Sequence, residues 1–137
     1  KHVRSHGLEH GRYGVDITGR LAPDGVRATL AASDAFVAPA LMESFGIAAL
    51  EARTAGLPVL AYAATGIRSF VRDGREGLLA ADDHQMVANL ARIASDDTLR
   101  EQIAEHNRTT EPAQSWRHVL RTVEETYARA ATLARGA

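Results

Sequence analysis

The stretch Ala35-Phe36-Val37-Ala38-Pro39-Ala40-Leu41-Met42-Glu43-Ser44-Phe45-Gly46-Ile47-Ala48-Ala49-Leu50-Glu51-Ala52 decides how this chain is read. Its first five residues are too few and too uniformly apolar for a strand with one wet face. They predict a strand buried on both sides, as in a parallel sheet. Ile47, Leu50 and Glu51 then fall at i, i+3 and i+4, which predicts a helix over Ile47–Ala55, stopped at Gly56. Pro58-Val59-Leu60-Ala61-Tyr62 follows as a second buried strand.

Outward from this unit the alternation continues. Upstream, Pro23 and Asp24 suit a helix start, and Val26, Leu30 and Ala31 supply one buried stripe up to Ser33. Before it, Gly14-Val15-Asp16-Ile17-Thr18-Gly19 alternates as a short strand ending in a turn, and His2 to His6 reads as the last turns of a helix stopped at Gly7. Downstream come a loop with Thr65-Gly66, a short helix around Ile67 to Val71, a turn at Asp73-Gly74 and a strand at Gly77-Leu78-Leu79-Ala80. From Asp82 the pattern is helical. Asp82 or Asp83 caps a helix with Met86, Val87, Leu90 and Ile93 inward; Leu99, Ile103 and His106 mark a second; Trp116, Val119, Leu120, Val123 and Tyr127 mark a third. The fold class this predicts is α/β, a Rossmann-like parallel sheet with flanking helices and right-handed crossovers, followed by a helical C-terminal segment. No repeat or low-complexity linker divides the chain, which is treated as one unit over residues 1–137. Ligands of such sheets sit at the carboxyl ends of the strands, so the loops after Ile17, Val37 and Tyr62 are the ones to search.

Composition narrows the partners. With 16 basic against 17 acidic residues among 137, the net charge of -1 gives no reason to expect a nucleic acid. A small nucleotide needs only a local site and stays open. Zero cysteines exclude disulfides, thiolate metal sites and cysteine nucleophiles. No apolar run approaches the roughly 20 residues of a membrane-spanning helix, and Lys1-His2-Val3-Arg4 does not resemble the start of a signal peptide. The chain has 26 alanines, and its basic residues are 15 arginines to the single Lys1, a bias that GC-rich coding produces without functional cause. It opens on Lys1 without an initiator methionine, which predicts a fragment or a processed form.

The chemistry concentrates at the loop-to-helix junction. Glu43 stands on the loop, and Glu51 falls on the second helical turn, about 7 Å along the axis from Gly46 at the usual rise per residue. Between them the N–H groups of Phe45, Gly46 and Ile47 are expected to point outward at the positive end of the helix dipole, and Gly46 lets a ligand approach the backbone. The set suits a nucleotide sugar: amides for phosphate or sugar oxygens, carboxylates for pairs of hydroxyls. Two glutamates at this spacing are, in an arbitrary helix, usually a solvated face. Here Glu51 lies between Leu50 and Ala52 in a helix of small and apolar residues, where a solvated face would show more charge. The other clusters read blandly. His2, His6 and His10 with Glu9 have metal-like spacing, but Gly7 interrupts the helix; Arg117, Arg121 and Arg129 are balanced by Glu124 and Glu125; Trp116 and Tyr127 read as packing residues.

Val37-Ala38-Pro39, Glu43-Ser44-Phe45-Gly46-Ile47, Leu50-Glu51-Ala52 and Gly56-Leu57-Pro58-Val59 together resemble the E-x7-E signature of retaining glycosyltransferases of family four, which have the two-domain GT-B fold. Val15 to Arg20 resembles that family's strand before its base-contacting loop, Asp73-Gly74 through Leu79 its last strand, and Ser115-Trp116 with Tyr127 its closing helix. The resemblance implies a bacterial-type enzyme that transfers a hexosyl group from a nucleotide-diphosphate sugar with retention. It implies that Glu43 lies beside the transferred sugar as the catalytic candidate and that Glu51 holds the ribose hydroxyls. The backbone of Phe45, Gly46 and Ile47, with Ser44 in the same loop, contacts sugar and diphosphate, and the loop of Gly19, Arg20 and Leu21 lies near the base. No metal and no cofactor is implied, the donor itself being the substrate, because protein groups stabilise the leaving diphosphate. A cytoplasmic location is implied, with peripheral attachment to a membrane left open for the intact enzyme.

The same resemblance implies what the chain lacks. The family's leaving-group clamp, an Arg and Lys pair, lies on the first strand and helix of its carboxyl-terminal domain, ahead of the part matched here. By this matching, residues 1–137 are part of a donor-binding domain without its first two strands and without the amino-terminal acceptor domain, and the chain alone is expected to be inactive. The sheet then needs completing: either Val15 to Thr18 pairs directly with Phe36 to Ala38, or a partner chain or swapped element fills the gap. One departure is local. The family often has Gly-Gly-x-x-Glu where this chain has Thr65-Gly66-Ile67-Arg68-Ser69, so no catalytic role is placed on Ser69, and Arg68 reads as a surface arginine sooner than a phosphate ligand. Two other readings stand beside transfer: a non-catalytic module that binds nucleotide sugars, and a nucleotide-sugar epimerase of the same architecture. Base, sugar, acceptor and oligomeric state are not legible.

Overall fold

The computed structural model describes residues 14–135, so the helix expected at His2–His6 and the His2, His6, His10 and Glu9 cluster lie outside the described residues. In chain order the elements are helix α1 (Pro23–Ala31), strand β1 (Phe36–Ala38), helix α2 (Ile47–Thr54), strand β2 (Val59–Tyr62), a 3-10 turn (Gly66–Ser69), strand β3 (Gly77–Ala80), and helices α3 (Asp83–Ser95), α4 (Asp97–Thr109) and α5 (Trp116–Arg135). The strands form one parallel sheet in the order β1-β2-β3, with Phe36 opposite Val59 and Val59 opposite Gly77.

Strand β2 shows why the sheet holds. All four of its residues are buried, and because side chains alternate along a strand, Val59 and Ala61 point to one face and Leu60 and Tyr62 to the other. Val59 and Ala61 join Ala49 and Ala52 of α2 and Ile67, Phe70 and Val71; Leu60 and Tyr62 join Leu78, Ala80, Met86, Ile93 and Ile103. Helices thus cover both faces, as the uniformly apolar runs require. Helices α3 and α4 start on aspartates. Asp82 accepts from the Gln85 N–H at 2.8 Å and Asp96 from the Leu99 N–H at 2.9 Å, each satisfying a donor the helix leaves open. Of the two cap candidates at the start of α3, Asp82 is the one used.

Four expectations are corrected. Gly14 to Gly19 is not a strand: Val15 to Gly19 is exposed, irregular backbone, and no strand pairs with the outer edge of β1 among the described residues. A strand needs a neighbouring strand to pair with, and none in the sheet pairs with this segment. Strand β1 is for the same reason half-buried and not fully enclosed, since only β2 flanks it. In α3, Met86 and Ile93 are buried while Val87 and Leu90 are exposed: Met86 and Ile93 lie seven residues apart on one line facing the sheet, Val87 is turned about 100° from Met86, and Leu90, about 40° from it, stands at the margin of the buried line. Finally, α5 carries its apolar stripe into solvent, with Trp116 79% and Tyr127 73% exposed and Val119, Leu120 and Val123 also exposed. The buried faces of the sheet are covered by α2, α3 and α4, and the apolar stripe of α5 stays in solvent.

Candidate functional site

Parallel β-α connections put the loop after β1 and the turn after β2 at the same end of the sheet, and here they interlock. Gly46, the N-cap of α2, has φ 87°, a left-handed conformation that favours glycine, and a Cβ there would come within 2.5 Å of Ile67 Cγ1. Gly66 is pressed equally hard from the other side: a Cβ on it would stand 1.8 Å from the Ser44 carbonyl oxygen, and its N–H donates to the Glu43 carbonyl at 2.8 Å. The Phe45 and Phe70 rings meet with centroids 5.5 Å apart and planes tilted by 55°, an arrangement favourable for two aromatic quadrupoles. The segment Glu43–Gly46 is therefore fixed between the start of α2 and the Gly66–Phe70 segment.

Within this seat Glu43 is half-buried and folds back. Its Oε1 accepts from the N–H groups of Phe45 at 3.3 Å and Gly46 at 3.1 Å. The expectation that these two amides stand open is thus corrected: the Glu43 carboxylate occupies them, because a glycine N-cap has no side chain and an acceptor is favourable at the positive end of a helix. Ile47 and Ala48, the first helical residues, are exposed and keep N–H groups with no protein acceptor among the described residues. Glu51 lies one turn beyond Ile47 on the same exposed face, and its carboxylate makes no hydrogen bond or ion pair among the described residues. The structure thus brings Glu43, Ser44, Phe45, Gly46, Ile47 and Glu51 together. Gly19, Arg20 and Leu21 lie on the stretch before α1 and make no hydrogen bond or ion pair to the 43–47 loop. Arg68 is exposed on the 3-10 turn, and the Ser69 carbonyl accepts from Gln114 at 3.3 Å.

Sequence reasoning missed what lies under the opposite face of α2. Arg53 is buried there, with Nη1 donating to the Phe70 carbonyl at 2.6 Å and Nη2 3.8 Å from Glu76 Oε1. Glu76, just before β3, is fully buried. Its carboxylate accepts from the Arg72 backbone N–H at 2.9 Å, from both Nε and Nη2 of the Arg72 side chain, and contacts His106 Nε2 at 3.1 Å. Burial opposes its ionisation, but the hydrogen bonds from Arg72 and His106 and the Arg72 charge prevail and lower its pKa to about 2. Asn107 ties α4 to the same place, donating to the carbonyls of Leu57 at 2.8 Å and Glu76 at 2.9 Å. The available signal was the line Ala49, Ala52 and Arg53 at i, i+3 and i+4, which sets a charged residue on the face opposite Ile47 and Glu51.

A sequence model of the family described as glycosyl transferases group 1 matches residues 3–110, and the chain belongs to that family. Among curated relatives, the D-inositol 3-phosphate glycosyltransferase of Nocardioides sp. (strain ATCC BAA-499 / JS614) is 36% identical over 102 residues, covering 73% of this chain and 22% of that protein. The protein of the same name from Corynebacterium urealyticum is 34% identical over 107 residues, covering 77% and 25%. That from Frankia alni is 52% identical over 50 residues, covering 36% and 12%. The chain spans about a quarter or less of the length of these relatives. Among the described residues no helix is long and apolar enough to cross a membrane, and no three His, Cys, Asp or Glu side chains are grouped to hold a metal ion.

Proposed function

We propose that this chain is the donor-binding part of a retaining glycosyltransferase that moves a hexosyl group from a nucleotide-diphosphate sugar. The observation that carries the reading is the exposed face of α2, where the open N–H groups of Ile47 and Ala48 lead to the unpartnered Glu51 carboxylate. Amides at a helix start suit phosphate oxygens, and a free carboxylate one turn on suits a ribose diol. Glu51 takes the ribose hydroxyls. Glu43 stands beside the transferred sugar, with Ser44, Phe45, Gly46 and Ile47 lining sugar and diphosphate. Glu43 already accepts from two amides through one oxygen, and its second oxygen remains for the sugar. Gly19, Arg20 and Leu21 lie near the base. No metal is assigned. The positive end of α2 meets part of the diphosphate charge, and residues 1–137 alone are expected to transfer no sugar.

Titration of the chain with UDP, GDP and ADP tests this. One of the three is expected to bind, and Glu51→Ala should weaken it about tenfold or more, the loss of a charged hydrogen-bonding group. If none binds at millimolar concentration to chain shown to be folded, the reading is wrong.

A further inference from the structure

We propose that Arg53 and Glu76 are positioning residues for the Glu43–Glu51 site, a role that rests on the donor-binding reading above. The loop of residues 43–47 has two walls. One is α2, whose first turn and Glu51 make the exposed face. The other is the segment from Gly66 to Phe70, which holds the Glu43 carbonyl through the Gly66 N–H, lies under Gly46 through Ile67 and meets the Phe45 ring through Phe70. A single guanidinium bridges these walls. Arg53 grows from α2, and its Nη1 is hydrogen-bonded to the backbone carbonyl of Phe70 at 2.6 Å.

Stability alone does not call for this arrangement. An apolar side chain at position 53 would pack against the same cluster as Ala49 and Ala52 without burying charge, and buried ion pairs often contribute no more than apolar replacements of similar volume. What the pair supplies is direction. Helix α2 cannot slide or turn against residues 70–76 without parting a buried cation from the Phe70 carbonyl and from Glu76. Glu76 cannot follow, because Arg72 and His106 hold its carboxylate and Asn107 holds its carbonyl. The Nε of Arg53 is buried with no hydrogen-bond partner, so the side chain sits where its two Nη contacts place it and not where all its donors would be satisfied. The spacing between Glu43, anchored to the second wall, and Glu51, carried by the first, is set through this bridge.

The test uses the full chain with Arg53→Lys, Glu76→Gln and, as a core control away from both walls, Ile103→Val. Two readouts are taken: backbone amide resonances of Gly46, Ile47 and Gly66 without nucleotide, and affinity for UDP, GDP and ADP in turn. The expected result is displaced resonances and about tenfold weaker nucleotide binding in folded Arg53→Lys and Glu76→Gln, with neither change in Ile103→Val. Wild-type resonances and affinity in the folded variants would overturn the proposal. Should Glu76→Gln not fold, Arg53→Lys, which keeps the charge and loses the fork, decides alone. If the unaltered chain binds none of the nucleotides, the donor reading fails, and the amide resonances still decide whether the bridge positions the loop.

Discussion

Glu51 and Arg53 stand two residues apart on helix α2, and the turn of about 200° between them separates two environments. Glu51 faces solvent beside open helix amides, whereas Arg53 lies in the core against Phe70 and Glu76. A carboxylate in water keeps its hydration until a ligand replaces it, so its removal changes binding and leaves the fold alone. A buried guanidinium is solvated only by the groups the fold holds against it, so loss of a partner is felt by the whole domain.

The largest expected effect follows from removing one partner of the buried set. Glu76→Ala leaves Arg53 inside without its counterion and should lower unfolding free energy by about 3–5 kcal/mol, read from urea denaturation. Glu51→Ala, measured alongside, should change it by no more than about 0.5 kcal/mol. Equal losses in the two variants would erase the contrast between the faces of α2.

Acid should break the same contrast without mutation. The Glu76 pKa lies at about 2 in the folded chain against an ordinary value of 4.5. A lowered folded pKa means that the unfolded chain binds the proton more tightly. The contribution is therefore complete above about pH 4.5 and is lost as pH falls from there through about 2. Its ceiling is about 3 kcal/mol, from 1.36 kcal/mol per pKa unit. Urea midpoints between pH 5 and pH 2 should fall with a slope that flattens in Glu76→Gln, and an unaltered slope in that variant would assign the acid sensitivity to other carboxylates.

Gly46→Ala comes next, at about 1–3 kcal/mol, because it combines a left-handed φ with a Cβ 2.5 Å from Ile67. Like Glu76→Gln, it should also weaken nucleotide binding, since the Gly46 amide and the Glu43 carboxylate move together. Thermal denaturation with a parallel titration separates the two effects; unchanged affinity in the folded variant would detach this glycine from the site.

The parts of this molecule that the sequence made legible are those governed by local pattern. The apolar runs at 36–38, 59–62 and 77–80 could only be strands between covering helices, and Gly46 with Glu43 and Glu51 marked the loop-helix junction from spacing alone. Tertiary partners were not legible. That Glu43 turns onto the Phe45 and Gly46 amides, that Gly66 abuts Ser44, and that Glu76 gathers Arg53, Arg72 and His106 depend on residues 2 to 30 positions apart, which no periodicity links. Val15 to Thr18 failed as a strand for a related reason: its alternation was right, but a strand exists only beside another.

Helix α5 gives the smallest expected effect and the sharpest contrast with α4. Its apolar positions have the periodicity of a core-facing helix, yet Tyr127 is mostly exposed, while Ile103 of α4 is buried between sheet and helix. A side chain that leaves no water on folding contributes no transfer free energy, and Tyr and Ser differ little in helix propensity. Tyr127→Ser should therefore shift stability by no more than about 0.5 kcal/mol, against about 2–5 kcal/mol for Ile103→Ala. Circular dichroism melts of the two variants measure this directly. A Tyr127→Ser loss approaching that of Ile103→Ala, together with a melting temperature of the unaltered chain that rises with protein concentration, would mean that the stripe is covered in solution by another copy.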